Sequence, residues 1–274
     1  MSHDTVEIST LLGRNSKTEF LGLYFNDLDQ TQALKELMLL VGKQTFSYVV
    51  TPNVDHIVAL HRKPEAIVKS AYTSADLILC DSRILGRLAK QSGLPLEPVP
   101  GSDLTRDLLS ASSRSLRCAV IGGDCALHAH LAKLYPQHVW TFHQPPMGVR
   151  RNNAARLEIA QFVETAKAEI IFFAIGSAQS EICCYEIAQR GRAQGVALCI
   201  GASLEFLTGA KKRAPVWMQR ASLEWLHRLT SEPKRLWRRY LVEGPQIFQI
   251  WRRWHKVKVA RHPAGSGSTP FDGQ

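Results

Sequence analysis

The sequence predicts an α/β fold, a parallel sheet with flanking helices, followed by a basic helical appendage at the C-terminal end. Seven short apolar runs recur over residues 18–201 with helical periodicity in the gaps, which is how a parallel sheet with crossover helices reads. With 274 residues, 45% hydrophobic and 21% charged, the chain can bury one sizeable core, which excludes collagen-like, low-complexity and wholly disordered classes. The charge is also segregated. Residues 1–210 carry 20 Lys+Arg against 20 Asp+Glu, whereas residues 211–261 carry 14 against 3 and hold five of the six tryptophans. A neutral body thus ends in a basic, aromatic segment suited to meeting phosphates.

Residues 1–17 are polar and aperiodic and read as a flexible N-terminus. The core is expected over 18–210, with strands at TEFLGLYF (18–25), FSYVV (46–50), ADLILC (75–80), LRCAVIGG (116–123), HVWTF (138–142), AEIIFFAIG (168–176) and GVALCIG (195–201). Apolar positions near i, i+3 and i+4 place helices at 29–41, 53–61, 64–73, 82–91, 103–111, 125–134, 151–166, 180–192 and 203–209. Over 211–261 the pattern is helical without strands. Ser231-Glu232-Pro233 reads as an N-cap followed by a first-turn proline, and Gly244-Pro245 ends that helix and starts another, running to about Lys258. Residues 262–274 are rich in Gly, Ser and Pro and read as a disordered tail.

On the appendage helices, Trp237, Tyr240 and Leu241 share one face, as do Ile247, Ile250, Trp251 and Trp254, with Arg238, Arg239, Arg252 and Arg253 beside or opposite them. This pattern suits an anionic membrane surface, and the dull alternative is that several tryptophans pack the appendage on the core. Single-stranded nucleic acid is a further alternative for basic residues interleaved with aromatics. Tryptophans on helical faces, rather than in a stacking groove, make it the less favoured one, and no nucleic acid is expected. Six cysteines without a CxxC pair fit a reduced, cytoplasmic protein. No run reaches the roughly 18 apolar residues of a membrane span, so the expected location is cytoplasmic and peripheral on the inner face of the membrane.

In an open parallel sheet, ligands bind where loops leave the carboxyl ends of strands. The loops that qualify are Thr51-Pro52-Asn53, Asp81-Ser82, Gly122-Gly123-Asp124, and Gly176-Ser177-Ala178 with Glu181. On spacing alone each has a plain structural reading. Gly122-Gly123 can be a tight turn, Thr51 and Asn53 a helix start, and Asp81 a cap for the next helix rather than a general base. Asp27-Leu28-Asp29 matches the short DxD of metal-dependent sugar transferases, but its place before a helix favours capping. His128 and His130, two apart on a helix, do not share a face, so no metal is expected.

The order of motifs then points further. TPNVDHIVAL (51–60), AYTSADLILCD (71–81), LGRLAKQSGLPLEPVPGSDL (85–104), IGGD with a helix ending in YP (121–136), and RAPVWMQRASLEWLHRLTSEPKRLWRRY (213–240) together resemble the WecG/TagA/CpsF glycosyltransferase family. The likeness spans about residues 19–240. It implies a Rossmann-like core and an inverting transferase that needs no metal. Such an enzyme moves a sugar from a UDP-sugar to a polyprenyl-diphosphate-linked saccharide during cell-surface polysaccharide synthesis.

The resemblance also implies that Asp81 and Thr51 are catalytic, Asp81 as the base, and that Asn53, Gly101, Asp103, Gly122, Gly123, Gly176, Glu181 and Gly201 bind substrate. Arg213, Arg228 and Arg235 would grip the acceptor's diphosphate. The chain departs from the family at Ser82 (usually Gly), Pro98 (usually Arg), Ala178 and Ser180 (usually Pro and Gln), and Glu205 (usually Asp). A non-catalytic member that binds lipid-linked saccharide or a partner transferase therefore stays open, as does assembly into a homo-oligomer.

Overall fold

The computed structural model describes residues 16–261; the expected tail at 262–274 and all but the end of the expected flexible N-terminus lie outside them. Six parallel strands form the sheet: β3 (Phe46–Val50), β4 (Leu77–Ile78), β5 (Arg117–Ile121), β6 (Val139–His143), β7 (Ile170–Phe173) and β8 (Gly195–Cys199), in the order β4-β3-β8-β7-β5-β6. The chain moves outward from β3 to β4 and from β5 to β6, then returns through β7 to β8 at the centre. The carboxyl ends of β3, β8 and β7 therefore line the middle of one open crevice, with those of β4 and β5 flanking it.

Side-chain alternation divides the apolar residues between two layers. Tyr48, Val50, Ala119, Ile121, Ile171, Phe173 and Ala197 point to the face covered by α2 (Val54–Arg62), α3 (Ala66–Thr73), α4 (Arg83–Gln91), α7 (Asn153–Ala166) and α8 (Gln179–Arg190). Their neighbours Val49, Cys118, Val120, Ile170, Phe172, Val196 and Leu198 meet α1 (Gln30–Val41), α5 (Gly101–Ala111), α6 (Cys125–Leu134) and α9 (Ser203–Leu207) on the other face. The Ile-Ile-Phe-Phe run of β7 is buried throughout because the strand is central, whereas the edge strand β6 keeps Val139 and Thr141 exposed.

The run 18–25 is not one strand of this sheet. It folds into an antiparallel hairpin, β1 (Lys17–Phe20) and β2 (Leu23–Asn26), because Leu21 and Gly22 take left-handed backbone (φ 53° and 85°) and reverse the chain. Lys17, expected in the flexible N-terminus, opens β1. Asp29 caps α1 and forms a capping box with Gln32, and Asp27 accepts hydrogen bonds from Ser16 and Thr18, so the DxD run serves local structure.

The appendage comprises α10 (Val216–Arg220), α11 (Glu224–Ser231), α12 (Pro233–Trp237), a wider helical turn over Arg238–Glu243, and α13 (Gln246–Arg261). Ser231 is not the N-cap of α12, since its hydroxyl donates back to the His227 carbonyl (2.8 Å); Glu232 takes that position.

The Ile247/Ile250/Trp251/Trp254 face, expected to meet lipid, packs instead on the core beside the hairpin. Ile247 is 1% exposed, and Trp254 stands edge-on to Phe20 at 5.1 Å and donates its indole N–H to Glu19. Trp251 donates to Ser92 Oγ at 2.9 Å. An apolar helix face demands an apolar partner, and here the protein supplies it. Four interactions between opposite charges pin the appendage from its other side: Arg213 with Asp103, Arg83 with Glu224, Arg62 with Glu243, and Arg239 with Asp55. Arg239, expected to project away, is drawn in by that carboxylate.

Candidate active site

Asp81 stands just past β4, its backbone N–H held by the Pro52 carbonyl at 3.1 Å. The preceding Cys80 bridges to Pro98, which brings the start of α5 alongside. Gly101 then donates its N–H to Asp81 Oδ1 at 2.9 Å. Asp81 thus serves a helix start twenty residues away, and the next helix, α4, is capped by Ser82 through Leu85 N (3.3 Å). Ser82 in place of glycine accordingly has a local task. Pro98 also fits its surroundings, because a Cβ on Gly86 of α4 would lie 2.7 Å from Pro98 Cγ.

Burial pushes the Asp81 carboxyl up to about 6; the Gly101 N–H, Arg228 and the Asn53 side chain pull it down, and Glu224 adds to the rise. The result is a carboxylate that is basic for its kind yet ionised at neutral pH.

Asn53 caps α2, its side-chain oxygen accepting from Asp55 N at 3.1 Å. Its own N–H donates to His56 Nδ1 (3.1 Å), and His56 is pushed down to about 3 by burial and by Arg239, so it remains neutral and an acceptor. Thr51, expected to be catalytic, is buried and donates its hydroxyl to the Cys199 carbonyl of β8 at 3.0 Å. A Cβ on Gly101 would meet Thr51 Oγ1 at 3.2 Å, so glycine lets α5 start against β3. These contacts make Thr51 a strut of the cleft floor.

Asp103 and Arg213 form a two-pronged pair at 2.7 and 2.9 Å, with Arg106 also on Asp103 at 2.9 Å. Burial alone would raise the Asp103 carboxyl, but Arg213, Arg106 and Arg83 hold it below the ordinary range. Arg213, expected to grip a diphosphate, is instead committed to this carboxylate and fastens the appendage. Arg235 likewise pairs with Glu232 at 2.5 Å on an exposed helix face. Arg228 differs from both. Its guanidinium lies 4.8 Å over the Phe206 ring, it acts on Asp81, and no carboxylate pairs with it among the described residues.

Two cavities meet at Asp81. The smaller, about 370 Å³, is lined by the polar side chains of Asp81, Asn53 and Arg228 and by the apolar side chains of Ile84, Trp225, Leu241, Ile247 and Phe248. The larger, about 980 Å³, runs along the sheet's carboxyl edge past Thr51, Gly201, Gly176, Glu181, Gly122 and Gly123 to the loop around Met147. Asn53, Asp81, Ser102, Phe206, Lys212, His227, Arg228, Arg239 and Tyr240 border both cavities. Gly101 and Asp103 border neither and act through Asp81 and Arg213.

Glu181, in the first turn of α8, is 2% exposed. Its Oε1 accepts the Tyr72 hydroxyl at 3.0 Å, its Oε2 has no partner among the described residues, and burial pushes it up to about 7 against the pull of Tyr72 and of the Glu181 and Ala178 backbone. Just before it Ala178 takes φ 64°, a value closed to the proline usual in the family. Glu205 is paired with Lys211 at 2.6 Å. His128, turned to the Gly122 carbonyl at 2.8 Å, is stacked on Phe142. Among the described residues no group of three or more His, Cys, Asp or Glu side chains is placed to share a metal ion.

Sequence reasoning missed Lys212, His227, Arg239 and Tyr240. They sit in or next to the most family-like stretch, but only the packing of the appendage shows which of its residues turn inward.

The glycosyl transferase WecG/TagA/CpsF family matches residues 18–260. The chain is 26% identical over 236 residues, 85% of either chain, to an N-acetylglucosaminyldiphosphoundecaprenol N-acetyl-beta-D-mannosaminyltransferase of Bacillus spizizenii. It is 24% identical over 264 residues, 90% of this chain and 96% of the other, to a protein of the same name from Staphylococcus aureus.

Proposed function

The chain belongs to the WecG/TagA/CpsF family and is a glycosyltransferase, and from that premise we propose that it moves a sugar from a UDP-sugar to a polyprenyl-diphosphate-linked saccharide with inversion at the transferred carbon. The observation that carries this reading is the carboxylate at the junction of two unlike cavities. The long cavity along the strand ends suits a nucleoside diphosphate sugar. The smaller one, lined by both charged and apolar side chains, suits a lipid-linked diphosphate. An acceptor hydroxyl entering from the second cavity meets Asp81 as it reaches a sugar in the first.

The chemistry is a direct displacement. Asp81 takes the proton from the acceptor hydroxyl while that oxygen attacks the anomeric carbon, and the bond to the departing diphosphate breaks in the same step. Negative charge collects on the leaving diphosphate, where Arg228 and Lys212 border both cavities and offset it. The two relatives are named for N-acetylglucosaminyldiphosphoundecaprenol, which makes an N-acetylglucosaminyl diphospholipid the first acceptor to test.

The assay uses the full chain, a panel of UDP-sugars and a short-chain lipid-diphosphate N-acetylglucosamine, in excess chelator. Transfer is expected to persist, with protein cations serving the diphosphate. Loss of turnover on chelation, restored by magnesium or manganese, would overturn the metal-free reading. Tight donor binding with no transfer at all would favour a non-catalytic role.

Among the described residues no helix is long and apolar enough to cross a membrane. Exposed Trp237, Leu241, Val242 and Phe248, of which Leu241 and Phe248 line the smaller cavity, support docking of the appendage on a membrane that presents the lipid. Arg252 and Arg253, exposed and without a carboxylate partner among the described residues, would add attraction of about 1 kcal/mol each near an anionic surface. The double substitution Arg252→Glu with Arg253→Glu should lower capture on phosphatidylserine vesicles by about tenfold or more, leaving transfer to a detergent-soluble acceptor intact. Equal capture of variant and parent would place the anchor elsewhere.

A further inference from the structure

The first turn of α2 is built around a reciprocal pair. The Asn53 side-chain oxygen caps the helix by accepting the Asp55 N–H, and the Asn53 N–H donates to His56 Nδ1 at 3.1 Å. His56 thus fills the place that Glu or Gln usually takes in a capping box. With its oxygen committed to Asp55, Asn53 acts on Asp81 through its amide N–H groups, and this is one of the forces that favour the ionised carboxylate. Asn53, His56 and Asp81 all border the larger cavity.

Histidine offers this acceptor only while its ring is neutral. An ordinary histidine, with a pKa of about 6.5, would take up a proton over the range in which Asp81 itself titrates and would release Asn53 there. Burial and Arg239 push His56 down to about 3, so the acceptor is kept. Because Nδ1 accepts, the single ring proton sits on Nε2. Tyr72, whose ring lies 6.3 Å away, gives its hydroxyl to Glu181 and does not compete for Nδ1. Asp81 is also faced by Arg228 and Glu224 of α11, by Arg213, by Cys80 and by the Gly101 N–H of α5, so the contribution of Asn53 has to be isolated by substitution.

Resting on the reading of Asp81 as the base, we propose that His56 is a positioning residue, holding Asn53 through Nδ1 so that the Asn53 amide stays on the Asp81 carboxylate. Losing it frees the Asn53 N–H, loosens the cap and withdraws a donor from Asp81. The ionised form is then less stable, and the pKa of Asp81 rises. The pH dependence separates this from a loss of packing. Withdrawal of a donor costs rate in acid and costs nothing once Asp81 is fully ionised, whereas a deformed site loses rate at every pH.

The test follows the full chain in two ways, by the pH profile of kcat/KM and by the carboxyl titration of Asp81 in carbon NMR of aspartate-labelled protein. In His56→Leu both should move up by about one pH unit, a loss of roughly tenfold near about pH 5.5 that vanishes by about pH 8.5. His56→Gln restores the acceptor usual at this position and should return both to the parent values. Asn53→Ser keeps a cap but lacks the amide; it should produce the same rise, and adding His56→Leu to it should add no more. Additive shifts in the double variant, or an unmoved Asp81 carboxyl in His56→Leu, would overturn the assignment. The parent alone gives a check that does not depend on how a variant folds. Nitrogen NMR, with the His56 signals assigned through His56→Gln, should show Nδ1 bare and Nε2 protonated from about pH 5 to 8, and a proton on Nδ1 would equally overturn it. If the Asp81 carboxyl moves as stated but the rate profile has no matching limb, the base reading falls and the positioning of Asp81 by His56 stands.

Discussion

Asp81→Asn is expected to abolish transfer, with a loss of about 10²–10⁴ in kcat, the range that a positioned general base supplies. The substitution is nearly isosteric, and the side-chain oxygen of Asn can still accept the Gly101 N–H, so the start of α5 keeps its partner. Burial disfavours the ionised carboxylate, and removing that charge relieves the penalty. The melting temperature should therefore not fall. Residual transfer above about a tenth of the parent rate would count against proton abstraction by Asp81.

Arg228→Gln is the second large effect. Arg228 borders both cavities, acts on Asp81 and has no carboxylate partner among the described residues, whereas Arg213, Arg235 and Arg239 are each held by one. Removing it should lower kcat by about 10²–10³, the cost of deleting one group aimed at developing negative charge. The same change removes a force that lowers the Asp81 pKa, so the acid limb of the rate profile should move to higher pH. Arg213→Gln should act differently. Its main consequence is a loosened appendage, seen as a lower melting temperature, because Asp103 then loses its bidentate partner. Equal effects of Arg228→Gln and Arg213→Gln on kcat at unchanged stability would refute this division of roles.

Strands β3, β5, β7 and β8 were readable because period, length and β-branched content agree there, and a centrally buried strand has no polar face to confuse the pattern. The hairpin was not, since Leu21-Gly22 sits inside an unbroken apolar run and only its backbone angles mark the turn. The position of Asp81 at a strand end was legible, but its partner was not. A cap normally serves the following turn, and here Ser82 takes that task while Gly101 arrives from a distant loop.

The appendage shows the same limit. An apolar helix face such as Ile247/Trp251/Trp254 states a need for burial without saying whether lipid or protein fulfils it. A cluster of arginines likewise does not distinguish a phosphate binder from a tether. Arg213 found Asp103, 110 residues earlier, and Arg239 found Asp55, leaving Arg228 for the cleft. Glu181 was identifiable by its place in a motif, whereas its unpartnered oxygen is a property of three-dimensional packing alone.

The pH dependence of kcat/KM for transfer from the UDP-sugar to the lipid acceptor tests the central claim most directly. Only the ionised form of Asp81 can accept the proton, and its pKa is raised from 3.8 to about 6 by burial, so activity must be lost as pH falls through that value. The account predicts a rise with unit slope through about pH 6 and a level region by about pH 7.5, with the limb displaced upward in Arg228→Gln. A profile flat from about pH 5 to 7, or the same limb persisting in the residual activity of Asp81→Asn, would contradict it.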